Sequence, residues 1–204
     1  MTSEQYVLSF TAGGLLYHES IIVAETYCKS RDWNKTTRQI NDQNLLQSRV
    51  QSTTTRKLRE ICARLQGLTS PQIELLVYGS RTEQNLLLWL ACCKRYQLLA
   101  DFAQEILHDK FIRLDLTISL IEVGNFVETK SVWHEELENL KESTRTKLVT
   151  VMMRMLREAE LISNDQVIRP QLMSPQLARV IAADSFELFN IYPVAESDVR
   201  GVMQ

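Results

Sequence analysis

The run Leu86–Cys93 (LLLWLACC) is the longest uninterrupted apolar stretch of the chain, and it constrains the fold more than any other feature. Eight residues are too few for a bilayer crossing, which needs about 20. The run sits inside a longer helical pattern, LLLWLACCKRYQLLADFAQEIL, that no Gly or Pro interrupts. A helix that is apolar on most sides must be surrounded by other elements. The sequence therefore predicts one long central helix over about 82–111, with the remaining chain packed around it. The scarcity of Gly (6) and Pro (4) favours helices as the surrounding elements too. The first residues, MTSEQYVLSF, lack the basic segment and apolar stretch of a signal peptide, so a soluble, cytoplasmic protein is expected.

Local punctuation divides the rest. Residues 6–16 read as an extended or turn-like entry broken by Gly13-Gly14. A helix is predicted at about 17–29, and Asp32 has the character of an N-cap for a second at about 33–42, anchored by Trp33. Ser52-Thr53-Thr54-Thr55 leads into a third at about 54–66, completing a unit of helix-turn-helix size. Ser70-Pro71 starts the next, with Ser as cap and Pro in the first turn. Further helices are predicted at about 118–129, 134–141, 144–160 (capped by Ser143) and 175–184 (started by Ser174-Pro175). Between the last two, Leu161–Ser163 and Gln166–Ile168 flank Asn164-Asp165, which reads as a short hairpin stopped by Pro170. Helices followed by a hairpin give the outline of a winged helix-turn-helix. The expected fold class is mainly α: helix-turn-helix or winged-helix type units around a central helical core, with one short β-hairpin wing. The expected division is an N-terminal helix-turn-helix-like unit at 1–67, the core at 68–114 and a winged-helix-like unit at 115–204.

The sequence also echoes itself. Thr54-x-x-Lys57-Leu58-x-x-Ile61-x-x-Arg64 is matched 90 residues on by Thr144-x-x-Lys147-Leu148-x-x-Val151-x-x-Arg154. Ser70-Pro71-Gln72-Ile73 is matched 104 residues on by Ser174-Pro175-Gln176-Leu177, and the 14 extra residues are about the length of the hairpin. One duplicated unit accounts for both matches. So does the recurrence of Ser-Pro caps and Lys-Leu pairs in helical proteins.

Charge is unevenly spread. The net value is only −2, so any affinity for a polyanion has to come from local patches. Residues 1–66 carry a balance of +3 and residues 67–142 one of −5, which directs attention to the two ends of the chain. Arg49, Arg56, Lys57, Arg59 and Arg64 stand against only Glu60 over residues 49–64, in and just before the third helix; Arg145, Lys147, Arg154 and Arg157 crowd the later one with no acid over 144–157. At 100° per residue, Leu58, Ile61, Cys62 and Leu65 form an apolar stripe, with Arg56, Lys57, Arg59 and Arg64 on the remaining arc. Leu148, Val151, Met152, Met155 and Ala159 do the same beside Lys147, Thr150, Arg154 and Arg157. Each helix can dock on a core while turning a basic, Thr-containing face outward, and Arg, Lys and Thr are the residues that contact phosphates and base edges. The candidate DNA-contacting residues are Arg49, Thr54, Arg56, Lys57, Arg59, Arg145, Lys147, Arg154, Arg157 and, near the hairpin, Arg169. A solvated basic face on a protein that never meets nucleic acid has the same pattern.

No catalytic signature accompanies these patches. His18, His108 and His134 lack partners at metal-ligand spacing. Gly13-Gly14 lacks the Lys-Ser/Thr of a phosphate loop, and Gly79-Ser80-Arg81 lacks the second Gly of a nucleophile elbow. Cys28, Cys62, Cys92 and Cys93 show no C-x-x-C spacing and read as reduced core residues; Met152, Met153 and Met155 read as packing. No enzyme activity, metal, cofactor, membrane contact or small-molecule substrate is expected.

Three stretches are more idiosyncratic: LSFTAGGLLYHES, GSRTEQNLLLWLACCKRYQLLADFAQEIL and WHEELENLKESTRTKLVTVMMRMLREAELI. They resemble the BrxA family over about residues 8–194. BrxA proteins are small components of bacterial BREX (bacteriophage exclusion) gene clusters, which mark host DNA by adenine methylation and block unmarked phage DNA. The resemblance implies a non-catalytic helical protein associated with DNA, acting beside a separate methyltransferase, ATPase and phosphatase-like protein. It supplies no contact residues; those rest on charge and periodicity. Three readings stay open from sequence: a double-stranded DNA-binding component, a protein adaptor within the defence complex, and an RNA-binding helical protein.

Overall fold

The computed structural model describes residues 5–47 and 51–204. The fold is mainly helical, and no regular sheet occurs among the described residues. After a 3-10 turn at Ser9–Ala12 come α1 (Tyr17–Ser30), α2 (Trp33–Asp42), α3 (Gln51–Leu65), α4 (Ser70–Tyr78), α5 (Arg81–Arg95) and α6 (Gln97–Phe102). A π-helical turn, Ala103–His108, leads into α7 (Asp109–Ile112). Then follow α8 (Leu120–Ser131), α9 (Glu135–Glu138), α10 (Glu142–Glu158), α11 (Pro175–Ala182), a 3-10 turn at Phe186–Ile191 and α12 (Glu196–Met203).

The apolar run sits where its composition demands. Every residue from Gln84 to Cys93 on α5 is buried, and α5 packs against α1, α3, α4 and α6. Trp89 is fully buried, and its indole N–H donates to the Ile191 carbonyl at 2.9 Å; the Tyr192 hydroxyl returns along the same seam to the Leu86 carbonyl, also at 2.9 Å. A buried N–H without an acceptor costs about 1–3 kcal/mol. The C-terminal 3-10 turn therefore completes the core polar ledger as well as covering α5.

The single long helix expected over 82–111 is divided. Tyr96 is extended (φ −121°, ψ 98°) and separates α5 from α6. Its fully buried ring tilts against Phe10 with centroids 5.2 Å apart, and its hydroxyl accepts from Arg64 Nε at 3.1 Å. Tertiary contacts, not a breaker residue, interrupt the helix. Asp32 caps α2 as expected, accepting from the Asn34 and Lys35 amides. Trp33 is half-buried and stacks on Tyr27 at 4.0 Å. Two caps differ from expectation. Thr69, not Ser70, caps α4 in a reciprocal box with Gln72, while α10 begins at Glu142 after Lys141 with no side-chain cap, so Ser143 lies inside its first turn.

In place of a regular hairpin at 161–168, two isolated antiparallel bridges pair Ile162 with Ile168 and Thr117 with Val167. Asn164-Asp165 form the turn as expected, but the chain leaves after one bridge and the second strand is borrowed from the segment before α8. The two Ser-Pro helices of the internal echo, α4 and α11, pack on one another. Gln72 of α4 donates to the Val180 carbonyl at 3.1 Å and to Asp184 at 3.0 Å.

Candidate nucleic-acid interface

On α3, Thr54, Leu58, Ile61, Cys62 and Leu65 face the core, while Arg56 and Arg59 are exposed and Lys57 is half-buried. Thr54, expected on the outward face, is only 4% exposed, because it lies one turn before Leu58 on the apolar stripe. Arg64 departs further. It is 2% exposed, donating from Nη1 to the Gly14 carbonyl at 2.7 Å and from Nε to Tyr96, with Glu60 at 3.8 Å. Arg64 is thus a structural clamp, not part of a solvent-facing arc. Arg49 lies outside the described residues.

On α10, Leu148, Val151, Met152, Met153, Met155 and Leu156 are buried, and Lys147, Thr150 and Arg154 are exposed. Seven residues make about 700°, 20° short of two turns, so Lys147 and Arg154 share one stripe with Thr150 between them. Arg157 is half-buried and Arg169 exposed. Arg145 points elsewhere, about 200° round the helix from Lys147. It pairs with Glu128 of α8 and donates to the Leu137 carbonyl at 3.1 Å, tying α10 to α8 and α9. Arg56, Arg59, Lys147, Arg157 and Arg169 make no ion pair among the described residues. Lys57 pairs with Glu19 at 3.2 Å and Arg154 with Glu158 at 3.6 Å.

Both cationic helices contribute to the lining of one cleft. A cleft of about 480 Å³ is lined by Gly13, Gly14 and the start of α1, by Lys57 of α3, by Arg81 of α5, and by Arg154 and Glu158 of α10. The Gly13-Gly14 segment forms its floor and is held from both sides. Arg64 grips the Gly14 carbonyl, and the Leu15 amide donates to Glu158 at 2.6 Å. A Cβ at Gly14 would fall on the Glu158 carboxylate, so any larger residue there has to displace that side chain from the Leu15 amide. Arg81, absent from the sequence-based candidates, lies over the Tyr17 ring at 3.3 Å. A capping box between Ser80 and Glu83 fixes Arg81 in the first turn of α5, a local signal visible in sequence; its partner ring 64 residues earlier is not.

The titratable groups elsewhere form structural pairs. Cys62, Cys92 and Cys93 are buried and Cys28 half-buried, and burial pushes each thiol up, away from the reactive thiolate. Tyr6 stacks on His134 at 3.8 Å and donates to Asp101; burial and that carboxylate hold its hydroxyl well above the usual range. Among the described residues, no group of His, Cys, Asp or Glu is placed to hold a metal, and no helix is long and apolar enough to cross a membrane.

Fold and cleft together define a class: an all-helical scaffold that brings cations from separate helices to one surface. The BrxA family model matches residues 4–185, nearly the whole chain, and the chain belongs to the BrxA family. It is thereby a component of a BREX phage-defence system. A solved structure shares the fold: the crystal structure of an uncharacterized protein from Magnetospirillum magneticum matches with a TM-score of 0.78, over 93% of this chain and 99% of that one, at 20% identity. That identity speaks for the fold alone. No curated protein matches the sequence.

Proposed function

We propose that the protein is the non-catalytic, double-stranded DNA-binding component of its BREX system. The observation that carries this reading is the convergence of α3 and α10 on one cleft, with Arg56, Arg59, Lys147, Arg154 and Arg157 on the helices that border it. In this reading the 1–67 and 115–204 units each supply one DNA-facing helix across the 68–114 core. The bridged 161–169 loop serves as a rudimentary wing, with Arg169 on phosphate. Thr54 and Arg145 act behind the surface, one in the core and one in an interhelical pair.

Contacts of this kind position the protein on the backbone and carry little sequence information. With about six phosphates neutralised, log affinity should fall against log salt with a slope near −5. The test is an electrophoretic shift with purified protein and duplex DNA at two salt concentrations, with RNA as competitor. Retarded DNA that is released by salt and not displaced by RNA supports the reading; no shift at low salt refutes it.

An adaptor role has its own observation. The adjacent Val132 and Trp133 after α8 are each more than 70% exposed, an apolar pair suited to contact with another BREX component such as the methyltransferase, ATPase or phosphatase-like protein. Co-purification with one of these, lost on replacing Trp133 by Ser, would establish it alongside DNA binding.

A further inference from the structure

We propose that the cleft between α1, α3, α5 and α10 is a built phosphoryl-binding site, into which the protein seats one phosphate group of a nucleic-acid strand. This rests on the DNA-binding reading for the source of the phosphate, while the site itself is argued from its own residues.

Three cations reach the cleft from three different helices: Lys57 from α3, Arg81 from α5 and Arg154 from α10. Convergence from separate elements fixes the geometry far better than a row of lysines on one helix does. The two carboxylates present are already engaged. Glu19 pairs with Lys57 at 3.2 Å, and Glu158 accepts the Leu15 amide at 2.6 Å while facing Arg154 at 3.6 Å. Arg81 has no carboxylate partner among the described residues. The formal charge of the three cations and two carboxylates is +1.

Arg81 is preorganised in a specific way. Its guanidinium carbon lies over the Tyr17 ring, 3.3 Å from the centroid, and the Tyr17 hydroxyl donates to the Gln84 side chain, so the ring is itself held. A cation held over an aromatic face is attracted to the ring and spends none of its N–H donors on a carboxylate, which leaves the guanidinium fork for bidentate binding of a phosphate. The α1 start adds to this field: Leu16 is left-handed (φ 55°) and gives no side-chain cap. Among the described residues no side chain caps the first-turn amides of α1, beside the cleft-lining Tyr17, His18 and Glu19. The glycine segment is held on both sides, by Arg64 at the Gly14 carbonyl and by Glu158 at the Leu15 amide. A cleft of about 480 Å³ exceeds a bare phosphate and suits a phosphoryl group with its attached sugar.

The test pairs Arg81→Gln with Arg179→Gln, an exposed arginine on α11 outside this cleft, and uses pyrophosphate as a calorimetric probe and duplex DNA in gel shifts. Arg81 is exposed at a helix start, and an unchanged thermal midpoint verifies that the variant folds. Pyrophosphate binding by the wild type that falls about tenfold or more in R81Q but not R179Q supports the site. Comparing duplexes with 5′-phosphate and 5′-hydroxyl ends identifies the source: equal, Arg81-dependent affinity indicates an internal phosphodiester, and a preference for phosphorylated ends indicates a terminal phosphate. DNA binding that R81Q leaves intact, with no pyrophosphate binding, overturns the site and leaves the DNA reading standing. Arg81-dependent pyrophosphate binding without DNA binding supports the site and removes the DNA reading. Absence of both overturns both.

Discussion

Replacing Arg64 with Met separates what this cation does from what its neighbours on α3 do. Arg64 is 2% exposed and serves four groups: the Gly14 carbonyl at 2.7 Å, the Leu15 carbonyl at 3.5 Å, the Tyr96 hydroxyl at 3.1 Å and the Glu60 carboxylate at 3.8 Å. Methionine fills most of the volume but offers no donor. The Gly14 carbonyl loses its clamp, and Glu60, whose Oε1 is already buried without a hydrogen bond, loses its counter-charge. Breaking a buried pair by removing one partner costs about 3–5 kcal/mol. For a domain of this size, that lowers the thermal midpoint by roughly 6–20 °C. Circular dichroism melts read it directly. The exposed Arg56→Ala should stay within about 0.5 kcal/mol of wild type. Adding Glu60→Gln to R64M should recover part of the loss, because it removes the stranded charge. A shift for R64M no larger than that for R56A would refute the clamp.

Three further outcomes follow from the same geometry. Arg145→Gln should cost about 1 kcal/mol by losing the Leu137 carbonyl bond and the Glu128 pair, and should leave DNA affinity near wild type; a selective loss of DNA binding would place Arg145 on the interface. Gly14→Ala should push Glu158 off the Leu15 amide and destabilise by about 1–2 kcal/mol in urea titrations; a neutral result would mean that the floor is not pinned. Glu122 is held down to about 2 from an ordinary 4.5, chiefly by its hydrogen bond with Lys110 and then by the Ser119 amide. A carboxylate lowered on folding stabilises above its unfolded value, and that stabilisation fades as pH falls from 4.5 toward 2. Glu122→Gln should therefore be less stable at neutral pH and lose less stability across that acid window; parallel acid titrations would exclude the effect.

Features set by neighbours in sequence were legible. Asp32 capped its helix, the Leu86–Cys93 run became the buried core, and the apolar stripes of α3 and α10 face inward, since each depends only on periodicity and local hydrogen bonds. Features set at a distance were not. Tyr96 breaks the central helix because Phe10 and Arg64 hold it, and no Gly or Pro announces that break. Arg64 sits at the edge of the apolar stripe, so helical phase alone could not tell a solvated arginine from one reaching back to Gly14. Arg81 was missed because its ring partner, Tyr17, is brought beside it only by tertiary packing. The 3-10 turn at Phe186–Ile191 and α12 also escaped, although Ser185 is a readable cap for the former.

The most direct test of whether α3 and α10 form a cationic front for DNA is the salt dependence of duplex affinity in a Lys147→Gln/Arg154→Gln double variant. If both side chains neutralise phosphates, the log–log slope should be shallower than wild type by about 2, with the fold intact. A slope identical to that of the unaltered protein would contradict the shared front.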